Sequence, residues 1–253
     1  MEHQGRHALV TGGGSGIGYE IAKDLAAAGA TVTITGRRTS LLKKIAERHE
    51  RIHPLTMDVS DEGSVRDGIA QAASDHGPVA ICIANAGIAE GGPFAGVALE
   101  DWRRVLTTNL DGAFLTLQAA MATLDRDSWG RMIAISSIAG VRGLKGAIPY
   151  TVSKHGMIGL IRGLSEEYMG SQITFNAVCP GYVETDIVTS QATAIAKRQN
   201  ISEDEATQYM AKGNRHRVLL QADEISAATL WLCSEAARSV NGQTIQIAGG
   251  QVA

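Results

Sequence analysis

A doubly wound α/β domain is the fold class this sequence predicts, and three observations predict it. Short apolar runs rich in valine, isoleucine and alanine recur along the chain. Helical patterns separate them at almost every step. Several runs are near-continuous rather than alternating, as strands buried on both faces must be. Strand–helix alternation of this kind gives a parallel sheet with helices on both faces. The 253 residues suffice for a substantial core. No linker or internal repeat divides 1–253, so one domain of about seven strands is expected.

In chain order, the strands are expected at 7–11, 31–35, 52–58, 79–85, 131–137, 173–180 and 243–250. Helical periodicity fills 17–29, 40–49, 62–77, 99–124, 150–169 and 222–237. Gly29 follows the first helix as a C-cap. Pro149 precedes the helix at 150–169 and suits its first turn. The connection at about 182–217 is long and lies where a functional lid is often found. Within it, Ser202 and Glu205 form a capping box, so the insert carries helices of its own.

Composition narrows the function. The net charge is −3 and no polybasic run occurs, which argues against nucleic acid as a partner. No apolar stretch is long enough to span a bilayer, and the N-terminal residues lack a signal-peptide pattern. Cys82, Cys179 and Cys233 are far apart and sit in apolar runs, so buried free thiols and a cytoplasmic setting are expected. The seven histidines show no metal-ligand spacing, so no catalytic metal is expected.

The run "LVTGGGSGIGYEIA" passes from strand to helix. Gly12, Gly16 and Gly18 permit a tight turn and aim a helix N-terminus at an anion such as a pyrophosphate. The turn alone does not separate a dinucleotide from a mononucleotide. After the second strand, Gly36 stands where an NAD site often carries an acid, and Arg37 and Arg38 follow. A guanidinium pairs well with a 2′-phosphate, which favours NADP(H). Ser15 adds no second positive charge, so NAD(H) stays open.

Further along, Tyr150 and Lys154 lie four residues apart and share a helix face. A nearby ammonium favours a phenolate, so Lys154 is expected to draw the Tyr150 pKa below its usual value near 10. His155 faces elsewhere and has no catalytic role.

Together these residues resemble the short-chain dehydrogenase/reductase family, and the resemblance runs over nearly the whole chain. TGGGSGIG (11–18), with Ser15 and Ile17, looks like the family's cofactor turn. Asp58 and Val59 resemble its adenine-contacting pair. "ANAG" (84–87), holding Asn85, Ala86 and Gly87, resembles its NNAG motif with Ala84 in place of the first asparagine. Asn109, Ser137, Tyr150 and Lys154 match its catalytic set in order. "PGYVETD" (180–186), with Pro180, Gly181, Val183 and Thr185, resembles the segment that closes over the nicotinamide.

The resemblance implies a Rossmann-like fold and interconversion of a ketone and a secondary alcohol. Tyr150 would give the proton and Ser137 would polarise the carbonyl oxygen. Tyr150 and Lys154 would also contact the cofactor, Lys154 at the nicotinamide ribose, and Asn109 would hold a proton-relaying water. It also implies a homotetramer or homodimer built through helices around 100–124 and 150–169 and through the C-terminal strand.

The lid segment is similar to that of bacterial 3-hydroxybutyrate dehydrogenases, and Gln191 falls where those enzymes hold a carboxylate. Ala89, Ala139 and Ala147 replace their other polar residues, which argues against a small free acid. Ser128 and Ser171 stand where acyl-carrier-protein reductases carry arginines. Ile138, Ala139, Val141, Tyr182 and Gln191 are the expected substrate residues. The favoured reading is an NADPH-dependent carbonyl reductase with a mostly apolar or acyl-type substrate. Its alternatives are an NAD-dependent dehydrogenase of a 3-hydroxy acid or 3-hydroxyacyl thioester, and a non-enzymatic nucleotide-binding scaffold.

Overall fold

The computed structural model describes residues 1–125 and 127–252. The strands β1 (His7–Thr11), β2 (Thr31–Gly36), β3 (Ile52–Thr56), β4 (Val79–Ala84), β5 (Gly130–Ile135), β6 (Ile173–Pro180) and β7 (Thr244–Ile247) form one sheet. All pairings are parallel, in the order β3-β2-β1-β4-β5-β6-β7. The expected α/β fold is therefore the fold found. The order reverses direction between β1 and β4, where doubly wound sheets open a ligand crevice at their C-terminal edge.

The helices are α1 (Gly16–Ala27), α2 (Thr39–Ala46), α3 (Glu62–His76), α4 (Leu99–Leu106), α5 (Gly112–Met121), α6 (Ile148–Glu167), α7 (Asp186–Gln199), α8 (Glu203–Ala211) and α9 (Ala222–Cys233). Side chains of α1, α2 and α9 pack on one face of the sheet, around Ile21, Leu25, Leu42 and Ile225. Those of α3, α5 and α6 pack on the other, around Ile69, Leu117, Met157 and Phe175. Gly29 adopts φ +101° after α1, and proline stands in the first turn of α6. Cys82, Cys179 and Cys233 are buried and free.

Two departures from the periodicity reading shape the crevice. The helix expected over 99–124 is interrupted by a π turn at Thr107–Asp111, which separates α4 from α5. The strand expected over 131–137 ends at Ile135, leaving Ser136 and Ser137 free to turn into the crevice. In the insert, Ser202 caps α8 by accepting from the Glu205 N–H, while Glu205 accepts from the Ser202 N–H at 2.8 Å. Helices α7 and α8 pack on each other through Val188, Ala192, Ala196, Ala206 and Met210.

The opposite edge of the sheet holds a histidine cluster with a measurable consequence. His7 is buried, its Nδ1 2.7 Å from the Gly77 carbonyl and its Nε2 2.9 Å from the Thr33 hydroxyl. The carbonyl can only accept, so Nδ1 carries the proton and Nε2 accepts from Thr33. His76 meets the His7 ring edge-on and stacks on His53. Burial, reinforced by His76 and His53, lowers the His7 pKa from 6.5 to about 4. The unfolded chain thus holds a proton between those values that the folded chain lacks, and stability falls as pH drops through this window. From pH 7 to 5, the wild type should lose ~2 kcal/mol more unfolding free energy than a His7→Gln variant. Urea titrations at both pH values measure the difference, and equal losses would refute the assignment.

Candidate active site

The crevice begins at the glycine turn between β1 and α1. Gly12 has φ +65°, and a Cβ there would lie 3.0 Å from Asn85 Nδ2 and 3.1 Å from Ala86 Cα. A Cβ at Gly18 would run into the Asn85 amide and the Gly12 carbonyl. This close approach is held by Thr11, whose hydroxyl accepts from the N–H groups of Asn85 and Ala86, both at 3.0 Å. Asn85 Nδ2 in turn donates to the Thr11 carbonyl at 2.8 Å. Sequence reasoning missed Thr11, although its place just before the glycines was the available signal.

Ser15 stands at the α1 N-cap position, but its hydroxyl makes no capping bond. It accepts instead from Arg38 Nη2 at 3.1 Å, across the mouth of the crevice. Asp58 Oδ1 accepts from the Ser60 hydroxyl at 2.7 Å and from the Ser60 N–H at 3.0 Å. Those bonds, with Arg37 nearby, hold its carboxyl below the usual range. Gly12, Ser15, Ile17, Arg37, Arg38 and Asp58 all line this cleft, which has a volume of about 390 Å³. Gly16, Gly18, Val59, Asn85, Ala86, Gly87 and Thr185 complete its wall.

A second cavity, of about 450 Å³, continues the first and shares Ile17, Asn85, Gly87, Ile88, Thr185 and Ile187 with it. Ser137, Tyr150 and Lys154 line it together with Pro180, Gly181 and Val183. The ends of β5 and β6 and the first turns of α6 therefore bring these three polar groups to one wall. Ser137 is buried and accepts from the Ala139 N–H at 3.1 Å.

Lys154 is buried, and its Nζ donates to the Ile135 carbonyl at 2.8 Å and to Met157 Sδ at 3.4 Å. Burial lowers its pKa to about 8. The phenol departs from the expected lowering. Burial pushes the Tyr150 pKa up, the Ser137 hydroxyl opposes this, and the Lys154 ammonium lies 5.7 Å from the ring centroid with its bonds directed elsewhere. In this structure the Lys154 ammonium is bonded to the end of β5.

Asn109 lies in the π turn, is fully buried and lines neither cavity. Its Oδ1 accepts from the Ile88 N–H at 2.8 Å. Its Nδ2 donates to the Ile88 carbonyl at 2.9 Å and to the Ser153 hydroxyl at 3.0 Å. Both amide protons are thus spent, and a water would need its remaining acceptor or its backbone. Gly87 packs against it, since a Cβ there would lie 3.1 Å from Asn109 Oδ1 and 3.7 Å from Lys154 Nζ.

Of the expected substrate residues, Ile138, Tyr182 and Gln191 line the second cavity. Ala139 and Val141 do not: Ala139 is wholly buried behind Ser137, and Val141 packs on the core beneath α6. Ile88, Leu144, Ile187 and Arg198, which sequence reasoning did not single out, line it instead. His155 is exposed and bonded to the Thr151 carbonyl, away from the site.

The two cavities share part of their lining and form one continuous cleft, with Tyr150 on the wall of its second part. A comparison with protein families matches the short chain dehydrogenase model over residues 6–196. The chain belongs to the short-chain dehydrogenase family. It is a nicotinamide-dependent oxidoreductase that interconverts a ketone and a secondary alcohol.

Among curated relatives, it is 34% identical to a 3-oxoacyl-acyl-carrier-protein reductase of Aquifex aeolicus, covering 98% of this chain and 97% of that one. It is 33% identical to a D-beta-hydroxybutyrate dehydrogenase of Cupriavidus necator, covering 98% of each. Among solved structures it is similar to an actinorhodin polyketide ketoreductase variant with NADPH, at a TM-score of 0.94 and 32% identity over 97% of each chain.

Proposed function

We propose that this member of the family is an NADPH-dependent carbonyl reductase acting on a ketone with a mostly apolar or acyl-type body. The observation that carries the reading is the convergence of Ser137, Tyr150 and Lys154 on one cavity wall that opens onto the glycine cleft. The glycine cradle fits a dinucleotide, because side chains at Gly12 or Gly18 would fill it. Gly12, Ser15, Gly16, Ile17 and Gly18 would hold the pyrophosphate end, and Asp58 and Val59 would face the adenine. Asn85, Ala86, Gly87, Pro180, Gly181, Val183 and Thr185 would frame the nicotinamide end. A bound nicotinamide supplies the hydride in reduction and takes it in oxidation.

The chain's own groups manage the proton. Tyr150 gives a proton to the carbonyl oxygen as it gains charge, and takes one back in the oxidative direction. Burial favours its neutral, proton-carrying form. Ser137 holds the same oxygen. Lys154 would hold the nicotinamide ribose and replenish the phenol, while Asn109 positions the Ile88 loop and Ser153 beside it.

Preference for NADP(H) over NAD(H) rests on Arg37 and Arg38 at the cleft mouth and on the absence of an acid at Gly36. Loss of a charge-assisted bond costs about 1.5–3 kcal/mol, so Arg37→Ala should weaken NADPH binding roughly ten- to a hundred-fold. NADH binding should stay nearly unchanged. Fluorescence titration with both cofactors tests this, and tighter NADH binding by the wild type would reverse the assignment.

A second reading, an NAD-dependent dehydrogenase of a 3-hydroxy acid or thioester, draws on Gln191 at the cavity wall. Against the small acid, Ala89 and Ala147 line the same cavity without a polar atom to hold a nearby carboxylate. The family's catalytic residues standing together disfavour a non-enzymatic scaffold.

A homotetramer or homodimer is proposed through α4, α5 and α6, supported by the exposed apolar side chains Phe114 and Val152. Among the described residues no helix is long and apolar enough to cross a membrane. A cytoplasmic location is proposed from the three free, buried thiols.

A further inference from the structure

Helix α7 spans the second cavity and ends on a cation. Ile187, Gln191, Ala194, Ile195 and Arg198 recur at helical spacing and all line the cavity. Ile187 also borders the cofactor cleft, so the N-terminal end of α7 lies over the reacting centre. Arg198 is eleven residues further on, about 16 Å along the helix. Moving away from the cofactor, the lining passes Ile187 and Val188, the polar Ser190 and Gln191, then Ala194 and Ile195, and ends on the Arg198 guanidinium.

The basic side chains lining the cavity are not neutralised there. Glu90 is the one acidic residue lining this cavity among the described residues, and it is engaged by Arg104. Arg198 and Lys145 also line the cavity, and neither forms an ion pair or a side-chain hydrogen bond among the described residues. Basic residues favour a helix C-terminus on general grounds, which would account for any cation in the last turn of α7. Lys197 occupies the same turn and is not part of the cavity wall, so that effect alone does not explain Arg198.

We propose that Arg198 binds an anionic group carried at the remote end of the substrate. The substrate class is an oxo compound whose carboxylate or phosphate is separated from the carbonyl by an extended, largely apolar segment. This deepens the carbonyl-reductase reading and rests on it. It also accounts for the alanines near the reacting carbon: a short 3-hydroxy acid would present its carboxylate to Ala89 and Ala147, whereas a longer molecule carries its charge past them.

The test measures binding, so it does not depend on turnover. The protein, with and without NADP⁺, is titrated calorimetrically with decanoate, decyl phosphate, 1-decanol and butyrate at low salt. One charge-assisted contact at an exposed rim should make at least one decyl anion bind about ten-fold tighter than 1-decanol. Decanoate and decyl phosphate distinguish the carboxylate from the phosphate source, and butyrate should gain nothing. The preference should vanish in Arg198→Ala and persist in Arg198→Lys and Lys197→Ala. Equal binding of anions and alcohol, no binding of any decyl probe, or equal effects of Arg198→Ala and Lys197→Ala would overturn the proposal. Failure of the cofactor reading would appear separately, as absence of NADP⁺ binding in the same titrations.

Discussion

Tyr150→Phe is expected to slow ketone reduction by roughly 10²–10⁴-fold, the usual contribution of a positioned general acid. The substitution removes one oxygen and keeps the ring, so the start of α6 and the cavity shape should survive. Cofactor affinity should change little, because the glycine cleft and both arginines lie on other elements. The loss should therefore fall on kcat rather than on the KM for NADPH, as when an interaction of the transition state is removed. Ser137 would still hold the carbonyl oxygen, which accounts for residual turnover. Steady-state rates followed at the nicotinamide absorbance test this, and an unchanged kcat would remove Tyr150 from the reaction.

Lys154→Met should be comparably severe, about 10²-fold or more, for two separable reasons. The side chain is buried, and methionine keeps most of its length while losing the donor to the Ile135 carbonyl. Leaving that carbonyl unpaired costs about 1–3 kcal/mol at the end of β5, next to Ser137. The second reason is charge. With its pKa lowered to about 8, the ammonium is present below that pH and lost above it. Wild-type kcat/KM should thus decline as pH rises through 8, since this parameter reports the free enzyme. The methionine variant should be slow and lack this decline. A wild-type profile flat to pH 9.5 would contradict the assignment.

Much of the fold was legible because the strands are buried on both faces and therefore written as near-continuous apolar runs. The parallel sheet follows from helices between those runs. What periodicity does not carry is the single extra residue of a π turn. "LTTNLDGAF" reads as uninterrupted helix, yet Asn109 is turned inward to bond Ile88 and Ser153. Those partners, one in the loop after β4 and one in α6, are distant in sequence and have no local signature.

The candidate site divides in the same way. Gly12, Gly18, Tyr150 and Lys154 stand in short motifs whose spacing implies a shared turn or helix face. Arg198 does not, because its place on the cavity wall depends on how α7 lies across the sheet edge. Ala139 was misplaced for a related reason: the chain turns sharply after Ile135, so Ser137 faces the cavity while Ala139 is buried behind it. Lys154 lies beside the phenol, as the spacing implies, with the electrostatics of both groups set by burial. Burial outweighs proximity for both partners, raising the phenol and lowering the amine.

A screen of carbonyl compounds with NADPH and NADH, with the alcohol product quantified beside the oxidised cofactor, tests the central claim most directly. The predicted result is alcohol formed one for one with NADP⁺ from at least one ketone, faster than with NADH, and nearly abolished in Tyr150→Phe. Tight NADPH binding with no alcohol from any compound, or equal product from Tyr150→Phe, would contradict it.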